Sequence, residues 1–377
     1  MWQKGIKEGS KLKFWGAVFL VLLSAGILFV AYSFAKKEGL FYDYPDAEYL
    51  TEEEAESRPV YGLLSKNEQA VYTALYRGIT DMKTDIPMPG DIDGELYSRV
   101  YQIVEKQEPE LFYLDSIYYT AEKVREAKVV FRETGGIEDK KEELDSAVEK
   151  ALALLPYGDD YDKALYINDY LARNCTYVVG REGGYPATAY GCLVEGKANC
   201  EGYAKAFRLL ASEAGIRCAV VIGVTSEGEN HAWDQVEIGG DWYEVDATWD
   251  DTDDENVVRR MYFLCDDEYF SMTHTADDTL FAPFSCENDR ENYYVRNGLY
   301  VSEEGQAGEI LAREFSAGIS TIDLRFADRE LYDLFKERYI ENEEIFDVLR
   351  ETGRFTAPSV SLTLEESAEA LCLTIRL

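Results

Sequence analysis

Residues 231–249 read HAWDQVEIGGDWYEVDATW, two alternating runs joined by Gly239-Gly240. Period-two alternation on both sides of a two-residue glycine turn specifies a β-hairpin, because glycine reaches the positive φ that so tight a turn needs. With Ile238 set opposite Asp241, Trp233 falls opposite Asp246 and His231 opposite Thr248. His231 and Asp246 then lie on one face as diagonal neighbours, within side-chain reach. A slip of one residue would send them to opposite faces, so their pairing rests on the turn. In the same register Glu244 shares that face but sits opposite Gln235, further from His231. Asp234 points to the other face.

Upstream, residues 196–218 read GKANCEGYAKAFRLLASEAGIRC. Asn199 is the expected N-cap, Tyr203, Phe207, Leu210 and Ala214 recur at helical spacing, and Gly215 supplies the stop. Cys200 therefore belongs to the first helical turn, where unpaired backbone N–H groups and the macrodipole favour the reactive thiolate. Gly202 is expected to leave room for a substrate backbone. A lone cysteine is more often a buried structural residue, but the hairpin that follows changes that weighting. Cys200, His231 and Asp246 have the residue types of a thiol acyl-transfer triad. His231 would take the proton from Cys200, Asp246 would fix the tautomer of the imidazole, and the thiolate would attack an amide carbonyl to form a thioester.

The Cys200 N–H is the expected oxyanion donor. Tyr190 and Tyr177 are candidate side-chain partners for it, with core packing as their plainer role. His274, in a loop-like SMTHT segment, is the alternative base. The acidic run Asp250–Glu255 lacks the twelve-residue pattern of a calcium loop and reads as a solvated loop.

Composition narrows the function classes. The net charge is -35 over 377 residues, yet residues 1–37 carry six Lys and one Glu. The rest is strongly acidic and repels nucleic acid, which excludes it as a partner. The seven cysteines contain no CxxC, and with only His231 and His274 the ligands for a zinc site are few, so neither a metal nor another cofactor is expected. If Cys200 is a free nucleophile, the other six could form bridges, and their spacing selects no connectivity.

Phe14 to Ala35 is an uncharged apolar run, about 33 Å long as a helix and sufficient for a bilayer core of roughly 30 Å. Lys4, Lys7, Lys11 and Lys13 precede it, which orients the N-terminus to the cytoplasm and the remainder outside. A cleaved signal peptide is the competing reading, with small residues near Ser33-Phe34-Ala35. The run exceeds the usual length of a signal peptide's apolar region.

The expected organisation is a cytoplasmic tail (1–13), a transmembrane helix (14–35), an acidic stalk (36–60), an N-terminal α+β or helical region (61–155), a catalytic domain (156–288) and a C-terminal α+β accessory domain (289–377). Within these, helices are expected from Ser65 to about Met82, over about Gly94–Lys106 and over Glu138–Leu155, with a hairpin at Leu111–Tyr119 and Lys128–Arg132. In the last domain Tyr293–Val301 reads as strand, turn and strand about Asn297-Gly298. A strand at Ile319–Phe326 and a helix over about Arg329–Glu351 follow.

Residues 163–275 resemble the transglutaminase-like superfamily, in its bacterial extracytoplasmic branch. The resemblance is carried by KALYINDYLARNCTYV, YGCLVEGKANCEGYAKAFRLL, GIRCAVVIG, and NHAWDQVEIGGDWYEVDATWDD followed by YFLCDDEYFSMTHT. It implies an α+β, papain-like fold in which a nucleophile helix packs on an antiparallel sheet, flanked here by small α+β domains and one transmembrane helix. It aligns Cys200, His231 and Asp246 with the family's nucleophile, base and orienting acid. The family includes crosslinking transglutaminases, peptidases, amidases and members that have lost activity. The implied function is a membrane-anchored enzyme acting on extracellular protein or cell-wall peptide amides. Hydrolysis is favoured over transfer to an amine. The alternative is a cell-surface binding or assembly module with a vestigial triad.

Overall fold

The Gly-Gly turn sets the register of the central sheet. In the computed structural model, which describes residues 2–37, 42–119, 121–132, 135–180, 183–252, 258–353 and 361–377, strand Asn230–Ile238 pairs with Asp241–Val245, and Ile238 lies opposite Asp241. Gly239 and Gly240 have φ of 62° and 93°, the positive values of the mirror-image hairpin turn. The ladder ends at Asp234 opposite Val245. Asp246 leaves it to cap a short helix, Ala247–Asp250, accepting from the N–H groups of Thr248 and Trp249. Trp233 and His231 therefore never gain Asp246 and Thr248 as ladder partners. An aspartate that caps two orphan helix donors gives up a place in a strand that suits it poorly.

Five antiparallel strands form the sheet, in the order His274–Ala276, Cys218–Thr225, Asn230–Ile238, Asp241–Val245 and Phe263–Cys265. One face carries Cys218, Val236, Ile238, Tyr243 and Val245 against Tyr203, Phe207 and Leu210 of the helix Cys200–Glu213. The other carries Ala219, Val221 and Trp233 into a core shared with Val71, Leu75, Tyr97 and Val100 from the N-terminal region. Each fully buried Val, Leu, Ile or Phe among them stabilises by roughly 1.5–3 kcal/mol. The architecture is α+β, with the helix on an antiparallel sheet as expected.

The helix Cys200–Glu213 starts and stops on its sequence signals. Asn199 accepts from the Gly202 N–H at 3.2 Å. Gly215 adopts φ of 80°, and the N–H groups of Ile216 and Gly215 return to the carbonyls of Ala211 and Ser212, the paired bonds of a Schellman stop. The space at Gly202, expected for substrate, belongs to the chain itself. A Cβ there would stand 2.3 Å from the Pro186 carbonyl oxygen and 2.8 Å from the Ala198 side chain.

Around this core, the helices Lys66–Thr80, Gly94–Gln107 and Ile137–Leu152 form near their expected places, the first with a Ser65–Glu68 capping box. Strands Leu114–Tyr118 and Lys123–Phe131 pair as expected, and a further strand, Asp85–Asp93, joins their outer edge. Its Pro87 and Pro89 hid it, since proline is tolerated only at such an edge. Within the stretch expected as a stalk, Leu50 and Val60 are buried in the core, and Thr51 caps a helix at Glu52–Glu56. The helix Trp2–Lys37 contains one segment, Trp15–Lys36, long and apolar enough to cross a membrane.

The C-terminal part departs from expectation at one point with a clear cause. Tyr293–Arg296 is a helix, capped by Asn292, and only Tyr300–Val301 is strand. Asn297-Gly298 serves as a helix stop: Gly298 has φ of 64°, and the Leu299 N–H returns to the Tyr294 carbonyl. An Asn-Gly pair supplies positive φ equally to a hairpin and to a helix end. The helix expected over 329–351 is also broken, between Glu341 and Glu344, where Glu343 takes a positive φ. The strand Thr321–Phe326 forms as expected and lies between Tyr300–Val301 and Cys372–Arg376.

Gly202→Ala should overpack the joint between the helix and the 185–198 loop. The expected loss is about 1–3 kcal/mol, read as a lower urea midpoint with an unchanged denaturant slope. A midpoint equal to wild type would show that the joint yields.

Candidate active site

The three residues singled out from the sequence come from three elements that the fold brings to one end of the sheet. Cys200 opens its helix, held there by the Asn199 cap. Among the seven cysteines, all within the described residues, Cys200 alone is partly exposed, and all seven are free thiols. His231, second in its strand, is buried with its Nε2 2.7 Å from Oδ2 of Asp246. An ionised carboxylate only accepts, so Nε2 carries the proton. The nitrogen left to gain or lose a proton is therefore Nδ1. The Cys200 side chain lies close enough to the same ring to strengthen its hold on that proton.

Residues 152–247 match the model of the transglutaminase-like superfamily. The chain carries a transglutaminase-like domain. The matched stretch includes Cys200, His231 and Asp246 and stops short of His274. Kyphoscoliosis peptidase of Homo sapiens is 34% identical over 91 residues, covering 21% of this chain and 14% of that protein, and the Mus musculus protein matches to the same extent. The chain thus spans only a small part of the curated relatives it matches. Among solved structures, a protein of Cytophaga hutchinsonii described as a cysteine protease is 24% identical, with a TM-score of 0.25, over 28% of this chain and 37% of its own. A structure titled as a TGase is 16% identical, with a TM-score of 0.28, over 37% and 44%. Overlaps of that size leave the fold to be argued from the chain itself.

In the transglutaminase-like domain, the Asp246 carboxylate is fully engaged. Its Oδ1 accepts from the N–H groups of Thr248 at 2.9 Å and Trp249 at 3.3 Å. Its Oδ2 accepts from His231 and, at 3.2 Å, from Nε2 of His274. Burial opposes the charge, but the two imidazoles outweigh it and hold the carboxyl well below the usual range. Burial likewise opposes a charged His231 ring. The charge and hydrogen bond of Asp246, with a smaller part from Cys200, overcome it and raise the ring to about 10.

The rival residues are placed by the same framework. Glu244 pairs opposite Gln235 as expected, accepts from Gln235 Nε2 and Trp233 Nε1, both at 2.7 Å, and does not reach His231. Burial pushes its carboxyl up to about 8 against those two bonds. Asp234 lies on the opposite face, 3.4 Å from the Cys218 sulfur. His274, expected in a loop, begins a strand paired with Cys218–Thr225 and faces Asp246. A three-residue edge strand is too short to show alternation, which is why the sequence hid it. Asp250, expected in a solvated loop, is buried and accepts from Asn168 and from the Tyr262 N–H. Residues 253–257 of that acidic run lie outside the described residues.

Tyr190 stacks on Phe112 and hydrogen-bonds Glu143, so it is a core aromatic. Tyr177 is half-exposed and lines a groove of about 770 Å³ that reaches His231 and Trp249 between 172–177 and 225–231. Facing atoms of His231, Asp246 and His274 lie within 4.8 Å of one another, a spacing that metal ligands could have. They are hydrogen-bonded directly, which leaves an ion little space between them. Trp249, packed at 5.5 Å from the His231 ring, is the neighbour that sequence spacing did not single out.

The two shifted groups give the pair a pH signature. An unfolded histidine releases its proton near pH 6.5, roughly, whereas the folded His231 holds it to about 10. Its contribution to stability is therefore whole below about 6.5 and is lost as pH rises toward 10. Asp246, depressed when folded, contributes above the ordinary carboxylate range and loses that contribution as pH falls. Thermal melts should show the widest gap between wild type and His231→Gln at about pH 5–6.5, narrowing toward pH 10. A gap that does not vary with pH would contradict the ion pair.

Proposed function

We propose that the protein is a membrane-anchored thiol enzyme acting outside the membrane on amide bonds of protein or cell-wall peptide. Cys200 is the nucleophile, His231 the base and Asp246 its orienting acid. The observation that carries the reading is the buried His231–Asp246 pair beside the one partly exposed cysteine, which opens a helix. Below about pH 10 His231 is charged, so its Nδ1 holds the proton taken from the Cys200 thiol, and an imidazolium faces the sulfur as it attacks the amide carbon. The tetrahedral oxyanion meets the Cys200 backbone N–H, which has no intrahelical partner. The C–N bond then breaks, His231 returns the proton to the leaving amine, and a thioester remains on Cys200.

Water resolves that thioester to a carboxylic acid, and an amine resolves it to a new amide; the triad serves both. The likeness to a protein named as a peptidase favours hydrolysis. The groove along Tyr177 and Asn230 is open enough for an extended peptide. For the anchor, the segment Trp15–Lys36 and the lysines ahead of it support a single pass with the N-terminus cytoplasmic. Residues 156–288 then form the catalytic domain, with 61–155 and 289–377 flanking it on the outside.

The detergent-solubilised full chain, treated with iodoacetamide near pH 6.5 and mapped by mass spectrometry, should be alkylated at Cys200. Alkylation should be absent at that site in Cys200→Ala and at least roughly tenfold slower in His231→Ala. Equal total labelling of wild type and Cys200→Ala would instead favour a binding or assembly module with an inert triad. Peptide-amide libraries incubated with and without an added amine then distinguish hydrolysis from transfer.

A further inference from the structure

We infer that His274 is a second positioning residue of the site, donating from Nε2 to the same Asp246 oxygen that holds His231. The inference rests on the reading of Cys200, His231 and Asp246 as the catalytic set. His274 is buried, so it does not meet substrate, and it faces Asp246 rather than Cys200. Its tautomer is fixed from both sides. The carboxylate requires a proton on Nε2, and Nδ1 then accepts from the Thr273 hydroxyl at 2.9 Å.

The ring cannot turn away. Phe270 stacks on it at 4.0 Å and 21°, and Trp249, Trp233 and Tyr262 close the other sides at 4.5, 5.2 and 5.3 Å between ring centres. The titratable groups facing it are Asp246 and His231 from the hairpin and Tyr262 from the segment before Phe263–Cys265. The packed strand Cys218–Thr225 and the helix Asp267–Phe270 present Thr225 and Phe270, which do not titrate.

The consequence follows from counting acceptor positions. Asp246 Oδ1 is fixed by two backbone N–H groups, while Oδ2 is shared by two imidazoles. Without the donor on His274, Oδ2 keeps one partner and an unfilled lone-pair direction in a buried site. The carboxylate then gains freedom to tilt from the His231 N–H, and the imidazolium formed on proton transfer is held less well. Phenylalanine preserves the stack but donates nothing. Glutamine loses the ring but places an amide N–H where Nε2 stood.

The test is the pH profile of Cys200 alkylation by iodoacetamide, from about pH 4 to 10, on the solubilised full chain. Wild type should show a low-pH limb that His231→Ala removes, which establishes the triad independently of His274. His274→Phe should move that limb up by roughly one pH unit, a tenfold slower reaction at its foot. His274→Gln should stay within about twofold of wild type. A limb kept by His274→Phe, whether or not His274→Gln loses it, overturns the donor role while leaving the triad standing. A wild-type profile unchanged by His231→Ala sinks both. Should the His274 variants fail to fold, Thr273→Val carries the test. It releases the tautomer without changing shape, so a limb moved in the same direction supports the inference and an unmoved one overturns it.

Discussion

A carboxylate buried away from water must find its hydrogen bonds inside the protein, and Asp246 finds four. Leaving such a charge unpaired would cost several kcal/mol, on the order of the net stability of a domain. Its donors come from separated parts of the chain: the hairpin strand at His231, the turn at Thr248 and Trp249, and the edge strand at His274. Each part must therefore be in place for the carboxylate to be satisfied. The aromatic wall of Trp233, Trp249, Tyr262 and Phe270 follows from the same need, since it keeps water from competing for the carboxylate.

The helix that opens on Cys200 is fixed from its other side by charge. Lys205, buried on that helix, pairs with Glu105 at 2.7 Å and Glu201 at 2.9 Å, and Lys106 pairs with Glu201 at 2.6 Å. Arg208 donates to the Gln107 carbonyl at 2.5 Å and to the Cys218 carbonyl. The Gln107 side chain in turn bonds both the N–H and the carbonyl of Val220. Helix Gly94–Gln107 is thereby locked to the helix Cys200–Glu213 and to the sheet. These contacts convert a helix that could slide on an apolar surface into one whose first turn has a fixed position relative to His231. The proton transfer proposed between Cys200 and His231 needs that, because its efficiency depends on tenths of an ångström.

A transglutaminase-like domain supports a thiol-dependent enzyme, and the local chemistry is consistent with that. The cap, the helix start and the hairpin register bring a partly exposed thiol near an imidazole that a buried carboxylate orients. In the proposed reading, what the acyl group is, and what accepts it, depends on the groove beside Tyr177 and His231, whose walls come from strand and helix ends and the loops between them. Loops vary freely on such a scaffold. The scaffold therefore bears on the proposed reaction class more closely than on the substrate.

The local signals were legible wherever one short segment decides its own conformation. Asn199 and Gly215 bounded the helix, Ser65 opened another, and Gly239-Gly240 fixed which residues of the hairpin share a face. Alternation and capping depend on neighbours a few residues apart, so a single sequence carries them. The tertiary structure decided what depends on distant partners. It turned Asn297-Gly298 into a helix stop, seated Asp85–Asp93 at an edge that accepts its prolines, and filled the space at Gly202 with the backbone of Pro186. It also brought His274 onto Asp246, 28 residues away in sequence. No periodicity records that contact, because it exists only once two strands at opposite sides of the hairpin are folded around one buried charge.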